Sequence, residues 1–322
     1  MKKIISIMLC LIMALSLVAC GGGDGASATK MTMGTGGPSG TYYAYGGVLS
    51  KYMTDKAGIA VNPVSTDGSK ANIVGIDFGD YQLATVQSDV MAYAWAGERS
   101  FEEEGKIQSF RVIGGLYAEA VQLITMDPNI KSVADLKGKN VSIGAPGSGV
   151  YFNAVDVLTA AGLTVDDINA QYQSFGDSAD ALKDGKIDAA FIVAGAPTPA
   201  ITELATSANA YLVPIDGEIA DALMASCPFY TVYEIPAGTY KGQEEAVKTV
   251  TVKATMIVSA DASEEDVYNL TAAIFDNIEA ITKEHAKGAE LTLENATDGM
   301  TAPFHAGAAK YFKEKGIEVE TN

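Results

Sequence analysis

Two glycine-rich loops contain small hydroxyl side chains at a spacing that suits anion binding. The first, GTGGPSGTYY, covers residues 34–43, and the second, GAPGSGVYF, covers residues 144–152. Glycines let backbone N–H groups turn toward a ligand, and a helix start adds positive partial charge. No Lys or Arg lies within residues 34–50 or 140–182, so amides and hydroxyls would hold the anion. The predicted contacts are Ser39, Gly40, Thr41, Tyr42, Ser148, Gly149 and Val150.

The first loop does not fit the nucleotide-binding patterns. A P-loop requires Gly-Lys-Ser/Thr, whereas Gly40 is followed by Thr41 and Tyr42. A dinucleotide fingerprint requires Gly or Ala in its sixth place, and residues 34–39 end in Ser39. The sequence therefore predicts a small carboxylate as the ligand, with no cofactor.

A third polar cluster, Gln87, Ser88 and Asp89, follows a strand predicted over residues 82–86. Ligands bind outside the carboxyl ends of parallel strands, so these residues are candidate ligand contacts. Asp89 could pair with the ammonium group of an amino acid, or it could instead cap a helix over residues 90–95. An amino acid would use both the loops and Asp89, whereas a plain organic acid would need the loops alone.

The residue types and their spacing do not indicate catalysis or metal binding. The two histidines, His285 and His305, are far from both loops along the chain, and no HExxH, CxxC or EF-hand spacing occurs. We therefore expect no metal site and no enzyme. Cys227 has no partner cysteine in the folded body, so packing must stabilise the protein.

One α/β plan occurs twice along the chain, which indicates parallel sheets flanked by helices. Gly40-Thr41-Tyr42 aligns with Gly149-Val150-Tyr151 at an offset of 109 residues. The predicted strands are 30–35, 61–64, 82–86, 140–144, 170–173 and 187–193, and the predicted helices are 42–54, 69–78, 150–161 and 178–183.

Two apolar strands would connect the copies and create a cleft between two lobes. Residues 116–126 would cross out of the first copy, and residues 249–258 would cross back. A helix over residues 262–281, with Ser263 as its N-cap, would then rejoin the first copy. The predicted lobes are residues 30–118 with 251–322 for lobe I and residues 119–250 for lobe II.

The beginning of the chain indicates export. Lys2 and Lys3 precede a largely apolar segment, residues 4–18, and Leu17-Val18-Ala19-Cys20 resembles the lipobox of bacterial lipoproteins. The expectation is a signal peptide over residues 1–19, lipidation of Cys20 and a linker over residues 20–29, with an uncleaved membrane anchor as the alternative. The formal charge of −18 becomes −20 without Lys2 and Lys3, which disfavours nucleic acid as a partner.

Five motifs resemble the TAXI family, the extracytoplasmic solute receptors of one class of TRAP transporters. They are GTGGPSGTYYAYGG, ATVQSD at 84–89, LKGKNVSIGAPGSGV at 136–150, PFYTVYEIPAGTY at 228–240 and PFHAGAAKYFKEKG at 303–316. The resemblance implies a two-lobed type II periplasmic-binding-protein fold with two crossing hinge strands, and closure of the lobes on a ligand. It also implies delivery to an ion-driven TRAP permease by a lipid-anchored monomer on the periplasmic or outer face of the cell membrane.

The same resemblance adds Tyr233, in the fourth motif, to the candidate ligand contacts, and it favours a glutamate-like solute. A receptor of an ATP-driven importer shares this fold and is the alternative within transport. An enzyme on the same scaffold is the alternative outside it.

Overall fold

The structure is a computed structural model that describes residues 29–321, and its strands and helices alternate along most of the chain. The strands are β1 (Lys30–Gly34), β2 (Ala60–Val64), β3 (Leu83–Gln87), β4 (Phe110–Thr125), β5 (Asn140–Ser142), β6 (Asn169–Gln171), β7 (Ala189–Ala194), β8 (Tyr211–Val213), β9 (Thr231–Ile235) and β10 (Val247–Ser259). The helices are α1 (Thr41–Tyr52), α2 (Ser69–Asp77), α3 (Ser88–Ala96), α4 (Val150–Ala160), α5 (Phe175–Lys183), α6 (Pro199–Ser207), α7 (Gly217–Ser226), α8 (Glu264–Phe275), α9 (Ile278–Glu284), α10 (Leu293–Thr297) and α11 (Ala306–Glu314).

The predicted signal peptide and the predicted lipidation site at Cys20 lie outside the described residues. Within residues 29–321, no helix combines the length and the apolar character needed to cross a membrane.

Two long antiparallel strands occupy the middle of the sheet. Its order is β2-β1-β3-β10-β4-β7-β5-β6, with β8 added to β4 and β9 added to β10. The strands β4 and β10 pair from Thr251 opposite Ala120 to Ser259 opposite Phe110. On one side β10 pairs with β3, and on the other β4 pairs with β7. The predicted crossing strands are therefore adjacent, and together they join the two parallel portions of the sheet.

The apolar core divides into separate clusters on either side of this pair. One cluster combines β1 to β3 and their helices with the C-terminal helices, and Met33, Leu49 and Phe312 are among its members. Two further clusters lie on opposite faces of the β4, β5 and β7 portion, where Leu123 and Ile124 belong to different clusters. Successive strand residues point to opposite faces, so this portion of the sheet is buried on both sides. The predicted lobe boundaries stay a prediction.

The repeated plan is confirmed for the first helix of each unit, whereas the helices of the second pair begin at Ser69 and Phe175, so the predicted start at residue 178 is wrong by three residues. Helix α1 begins at Thr41 and α4 begins at Val150, which reproduces the offset of 109 residues. Their N-cap positions are Gly40 and Gly149, neither of which supplies a side-chain cap. The two glycine-rich loops thus lead into equivalent helix starts, as the sequence predicts.

The single helix predicted over residues 262–281 is wrong, because two helices occupy this stretch. Helix α8 ends at Phe275 and α9 begins at Ile278. The Asn277 side-chain amide donates to the Ala273 carbonyl at 2.9 Å, which competes with the helical backbone pattern. Asp276 also accepts hydrogen bonds from Tyr311 and Lys315 of the C-terminal region, and these contacts hold the break in place.

The predicted N-cap at Ser263 is confirmed, and it gives a test of helix α8. Its side chain accepts a hydrogen bond from the Asp266 amide at 3.0 Å. Replacing Ser263 with Ala should lower the free energy of unfolding by about 1 kcal/mol because that amide loses its partner. Urea unfolding followed by circular dichroism measures the change. The exposed serine of α6 provides the control, since Ser207→Ala should shift stability by less than about 0.5 kcal/mol. Equal effects of the two substitutions would contradict the capping role.

Candidate functional site

A cavity of about 300 Å³ lies where the loops of the two repeated units meet. Its walls come from four segments of the chain that follow strands or begin helices, together with four positions on strands β3, β4 and β7. The lining residues are 36–42, 65–69, 87, 119, 145, 148–150, 173–176, 193 and 194.

Four helix N-termini converge on this cavity. The lining includes the first residues of α1 and α4 from the two glycine-rich loops, and those of α2 and α5 from two further loops. Gly40 is the N-cap of α1, Gly68 that of α2 and Gly149 that of α4, and none of them makes a side-chain cap hydrogen bond. Helix N-termini carry partial positive charge and unpaired N–H groups. Since no lining residue is Lys or Arg, these helix starts are the chief source of positive potential in the described walls.

The loops from the two repeated units touch one another around the cavity. The Ala71 amide donates to the Gly147 carbonyl at 3.1 Å, and the Ala200 amide donates to the Ser39 carbonyl at 3.1 Å. A Cβ added at Gly149 would overlap Gln87 Oε1. Glycine at this position is therefore required by the close approach of the two walls.

Three buried polar atoms face this region without a hydrogen-bond partner in the described part of the chain. They are Ser148 Oγ, Gln87 Oε1 and Gln173 Oε1, and all three residues line the cavity. Leaving a buried polar atom unpaired costs about 1–3 kcal/mol. A polar ligand in the cavity could provide the missing hydrogen bonds.

The structure brings most of the predicted ligand contacts together around the cavity and leaves three elsewhere. The lining includes Ser39, Gly40, Thr41, Tyr42, Gln87, Ser148, Gly149 and Val150. It does not include Ser88, Asp89 or Tyr233. Ligand contact by any of these residues stays a prediction.

Asp89 lies in the first turn of α3, with Gln87 as the N-cap, so the predicted capping role of Asp89 is wrong. Its side chain is fully buried, and Oδ2 accepts a hydrogen bond from Asn153 Nδ2 at 2.9 Å. Burial raises the pKa of Asp89 to about 6. The geometry therefore gives no support to a direct contact between Asp89 and a ligand.

Ser88 and Tyr233 make contacts with β10. Ser88 Oγ accepts a hydrogen bond from the Lys253 amide at 3.1 Å. Tyr233 lies on β9 opposite Thr249. Both positions stabilise the sheet around the crossing strand.

Asn153 connects the cavity wall to a buried polar cluster behind it. It accepts a hydrogen bond from Gln87 Nε2 at 2.9 Å and donates to Tyr230 OH at 2.8 Å. Tyr230 donates to Asp156, which forms a 2.7 Å ion pair with Arg99. This chain of hydrogen bonds joins residues 87–99 to residues 153–156 and 230. It fixes the orientation of Gln87, one of the lining residues.

Glu119 is a lining residue that sequence reasoning missed. It is 2% exposed, and Tyr42 OH donates to its Oε2 at 2.6 Å. The pKa of Glu119 is raised to about 8, chiefly by burial and also by the charge of Asp89, while the hydrogen bond from Tyr42 and the charge of Lys287 partly oppose the rise. The available signal was a single carboxylate in the apolar segment over residues 116–126.

The raised pKa of Glu119 predicts a stability that falls with pH. Between its ordinary pKa of 4.5 and about 8, the folded chain keeps a proton that the unfolded chain has released. The unfolded state then binds fewer protons, so the contribution of Glu119 to the free energy of unfolding declines through this window and is lost above about pH 8. The slope from this group is at most about 1.4 kcal/mol per pH unit.

Urea unfolding from pH 6.5 to 9 tests this prediction, because burial lowers the pKa values of His285 and His305 below 6.5. Glu119→Gln should flatten the decline. Glu104→Gln is the control, since the pKa of that exposed carboxylate is lowered by Lys70 and it titrates below the window. An unchanged slope in Glu119→Gln would show that Glu119 does not hold a proton near neutral pH.

Several solved structures are similar to this chain over most of its length. The alkanesulfonate-binding protein SsuA from Xanthomonas axonopodis pv. citri, bound to MOPS, is 17% identical, with 90% of this chain and 92% of that chain covered and a TM-score of 0.50. A putative L-cystine ABC transporter from Listeria monocytogenes is 17% identical, with 82% and 98% covered and a TM-score of 0.52. PhnD1 from Prochlorococcus marinus (MIT 9301), in complex with methylphosphonate, is 13% identical, with 80% and 89% covered and a TM-score of 0.54.

At such low identities it is the structural similarity that establishes the fold, and it confirms the predicted two-lobed α/β architecture of a type II periplasmic-binding protein. The sequence model of the NMT1-like family matches residues 33–316. This match covers both glycine-rich loops, both crossing strands and the whole cavity lining. The chain belongs to the NMT1-like family.

Proposed function

We propose that this protein is an extracytoplasmic solute-binding receptor that captures a small carboxylate and presents it to a membrane importer. The observation that carries the proposal is the convergence of four helix N-termini on one cavity with no Lys or Arg in its lining. Backbone N–H groups at helix starts bind anions without a cationic side chain. The cavity volume of about 300 Å³ suits a molecule of amino-acid size, since it is at the lower end of the range for ligand sites.

Capture would proceed by closure of lobe I, residues 30–118 with 251–322, on lobe II, residues 119–250. The strands β4 and β10 pass from one proposed lobe to the other and would act as the hinge. The hydrogen bonds Ala71–Gly147 and Ala200–Ser39 join the proposed lobes at the cavity rim. A ligand that contacts both walls favours the closed arrangement, because it adds binding energy in that state alone.

A receptor is favoured over an enzyme by the positions of the histidines. Ser148 lines the cavity, whereas neither His285 nor His305 does. His285 packs against the Tyr45 ring at 4.9 Å, and His305 accepts a hydrogen bond from the Gly307 amide at the start of α11. No imidazole in the described cavity lining could therefore activate Ser148 as a nucleophile.

The proposed partner is an ATP-driven importer. The similar structures include a protein named as a putative ABC transporter for L-cystine, and this name supports an ATP-driven partner better than the ion-driven TRAP permease expected from the sequence. The five TAXI-like motifs keep the TRAP permease as the second candidate. We further propose that the receptor is anchored by lipid on Cys20, as the lipobox-like segment indicates.

A panel of small acids and amino acids should reveal the ligand through thermal unfolding. A solute at 100 times its Kd adds about 2.7 kcal/mol of stability, which should raise the Tm by several degrees. Ser148→Ala should weaken binding at least about tenfold, because a hydrogen bond to a charged ligand contributes about 1.5–3 kcal/mol. Ser226→Ala, on the exposed face of α7, is the control. The receptor proposal fails if no solute in a panel of amino acids, dicarboxylates, sulfonates and phosphonates raises the Tm.

The energy source for uptake should distinguish the two candidate partners. Cells carrying this receptor would be given the labelled form of whichever solute stabilises the protein. If the partner is an ATP-driven importer, the initial uptake rate should fall after arsenate treatment, which depletes ATP. Most of that rate should remain when a protonophore and equal sodium concentrations on both sides of the membrane remove the ion gradients. The opposite pattern would replace the ATP-driven importer by the TRAP permease.

A further inference from the structure

The cavity lining combines helix N-termini with two acidic side chains. Helix N-termini supply positive partial charge from the loops at residues 36–42 and 145–150. Among the described lining residues, Asp67 and Glu119 are the acids and no basic residue balances them. Asp67 is exposed and Glu119 is buried. A ligand ammonium group would stabilise the ionised form of Glu119, whereas a purely anionic ligand would leave that buried carboxyl group protonated.

Glu119 has unused hydrogen-bonding capacity on this inner wall. Its Oε2 accepts from Tyr42, and within residues 29–321 no hydrogen bond reaches Oε1. Tyr42, which holds Oε2 in place, belongs to the helix start that also borders the proposed carboxylate site. The acceptor and the N–H donors are thereby placed within one small cavity.

Within residues 29–321, Lys287 is the cation whose charge acts on Glu119, but the ion pair of Lys287 is with Glu290. The charge of Asp89 disfavours the ionised form of Glu119, whereas the hydrogen bond from Tyr42 and the charge of Lys287 favour it. Lys287 Nζ is itself bound to Glu290 at 2.6 Å. A ligand ammonium group would supply further positive charge at the cavity side of Glu119.

We propose that the ligand is a zwitterionic α-amino acid and that Glu119 is the residue that recognises its ammonium group. This inference rests on the proposed receptor function and names the ligand class of the same cavity. Glu119 takes the role that the sequence assigned to Asp89, whose carboxylate is instead bound by Asn153 behind the cavity wall. The ligand carboxylate would lie against the helix N-termini of the two glycine-rich loops.

Proton release accompanies this mode of binding. In the free protein, burial favours the protonated form of Glu119, since its pKa is about 8. An ammonium group nearby favours the carboxylate form, so Glu119 loses its proton to solvent as an amino acid binds. A plain acid offers no such stabilisation, and it should bind without releasing a proton.

The experiment compares L-glutamate, L-glutamine and L-alanine with glutarate and 2-hydroxyglutarate, which lack the amine. Isothermal titration at pH 7 in buffers of different ionisation enthalpy gives both affinity and proton release. Wild-type protein should bind at least one amino acid about tenfold or more tightly than the acids, with release of a proton. Glu119→Gln keeps the shape of the side chain and an acceptor for Tyr42, so it should fold. It should weaken amino-acid binding about 10–100-fold and abolish proton release.

Glu104→Gln is the control, because it removes an exposed carboxylate that does not line the cavity, and it should change amino-acid affinity less than about threefold. Wild-type protein that binds the acids as tightly as the amino acids would overturn the ammonium inference while leaving the receptor proposal intact. The ammonium inference would also be overturned if Glu119→Gln weakened both classes equally or if Asp89→Asn alone removed the preference. Wild-type protein that binds nothing in a panel widened to sulfonates and phosphonates would overturn the receptor proposal, and this inference with it.

Discussion

The antiparallel pairing of β4 with β10 is the contact on which the rest of the structure depends. These strands are 16 and 13 residues long, and β10 pairs with β3 of one parallel portion while β4 pairs with β7 of the other. Their pairing brings residues near 120 next to residues near 251, which places the two repeated units with their loops facing each other. The cavity, the helix starts around it and the position of Glu119 all follow from this arrangement.

The cavity combines a preference for anions with a buried acid, and the balance between them shapes its specificity. Four helix N-termini provide diffuse positive potential that is fixed by the backbone. Glu119 provides one negative group that ionises only with difficulty because burial removes its solvation. A ligand that brings a positive charge would favour the ionised form of Glu119. It also couples ligand binding to the protonation of the protein.

Behind the cavity, the buried acid Asp89 belongs to a polar cluster and makes contacts that stabilise the fold. Asp89 is hydrogen-bonded to Asn153, which also binds Gln87 and Tyr230. These bonds offset part of the cost of burying the carboxylate. Because Gln87 belongs to the cavity wall, the cluster links the shape of that wall to contacts between residues far apart in sequence.

The sequence alone determined the two glycine-rich loops, the helix starts that follow them and their offset of 109 residues. These features depend on glycine, on capping and on hydrophobic periodicity, which are effects between residues a few positions apart along the chain. It also located the crossing strands. Tertiary structure decided which acid faces the cavity. Strand β4 is buried on both faces, so no alternation of polar and apolar residues marked the side on which Glu119 lies. Asp89 had the expected sequence position after a strand, yet the first turn of α3 directs it toward Asn153, and that direction depends on contacts made across the fold.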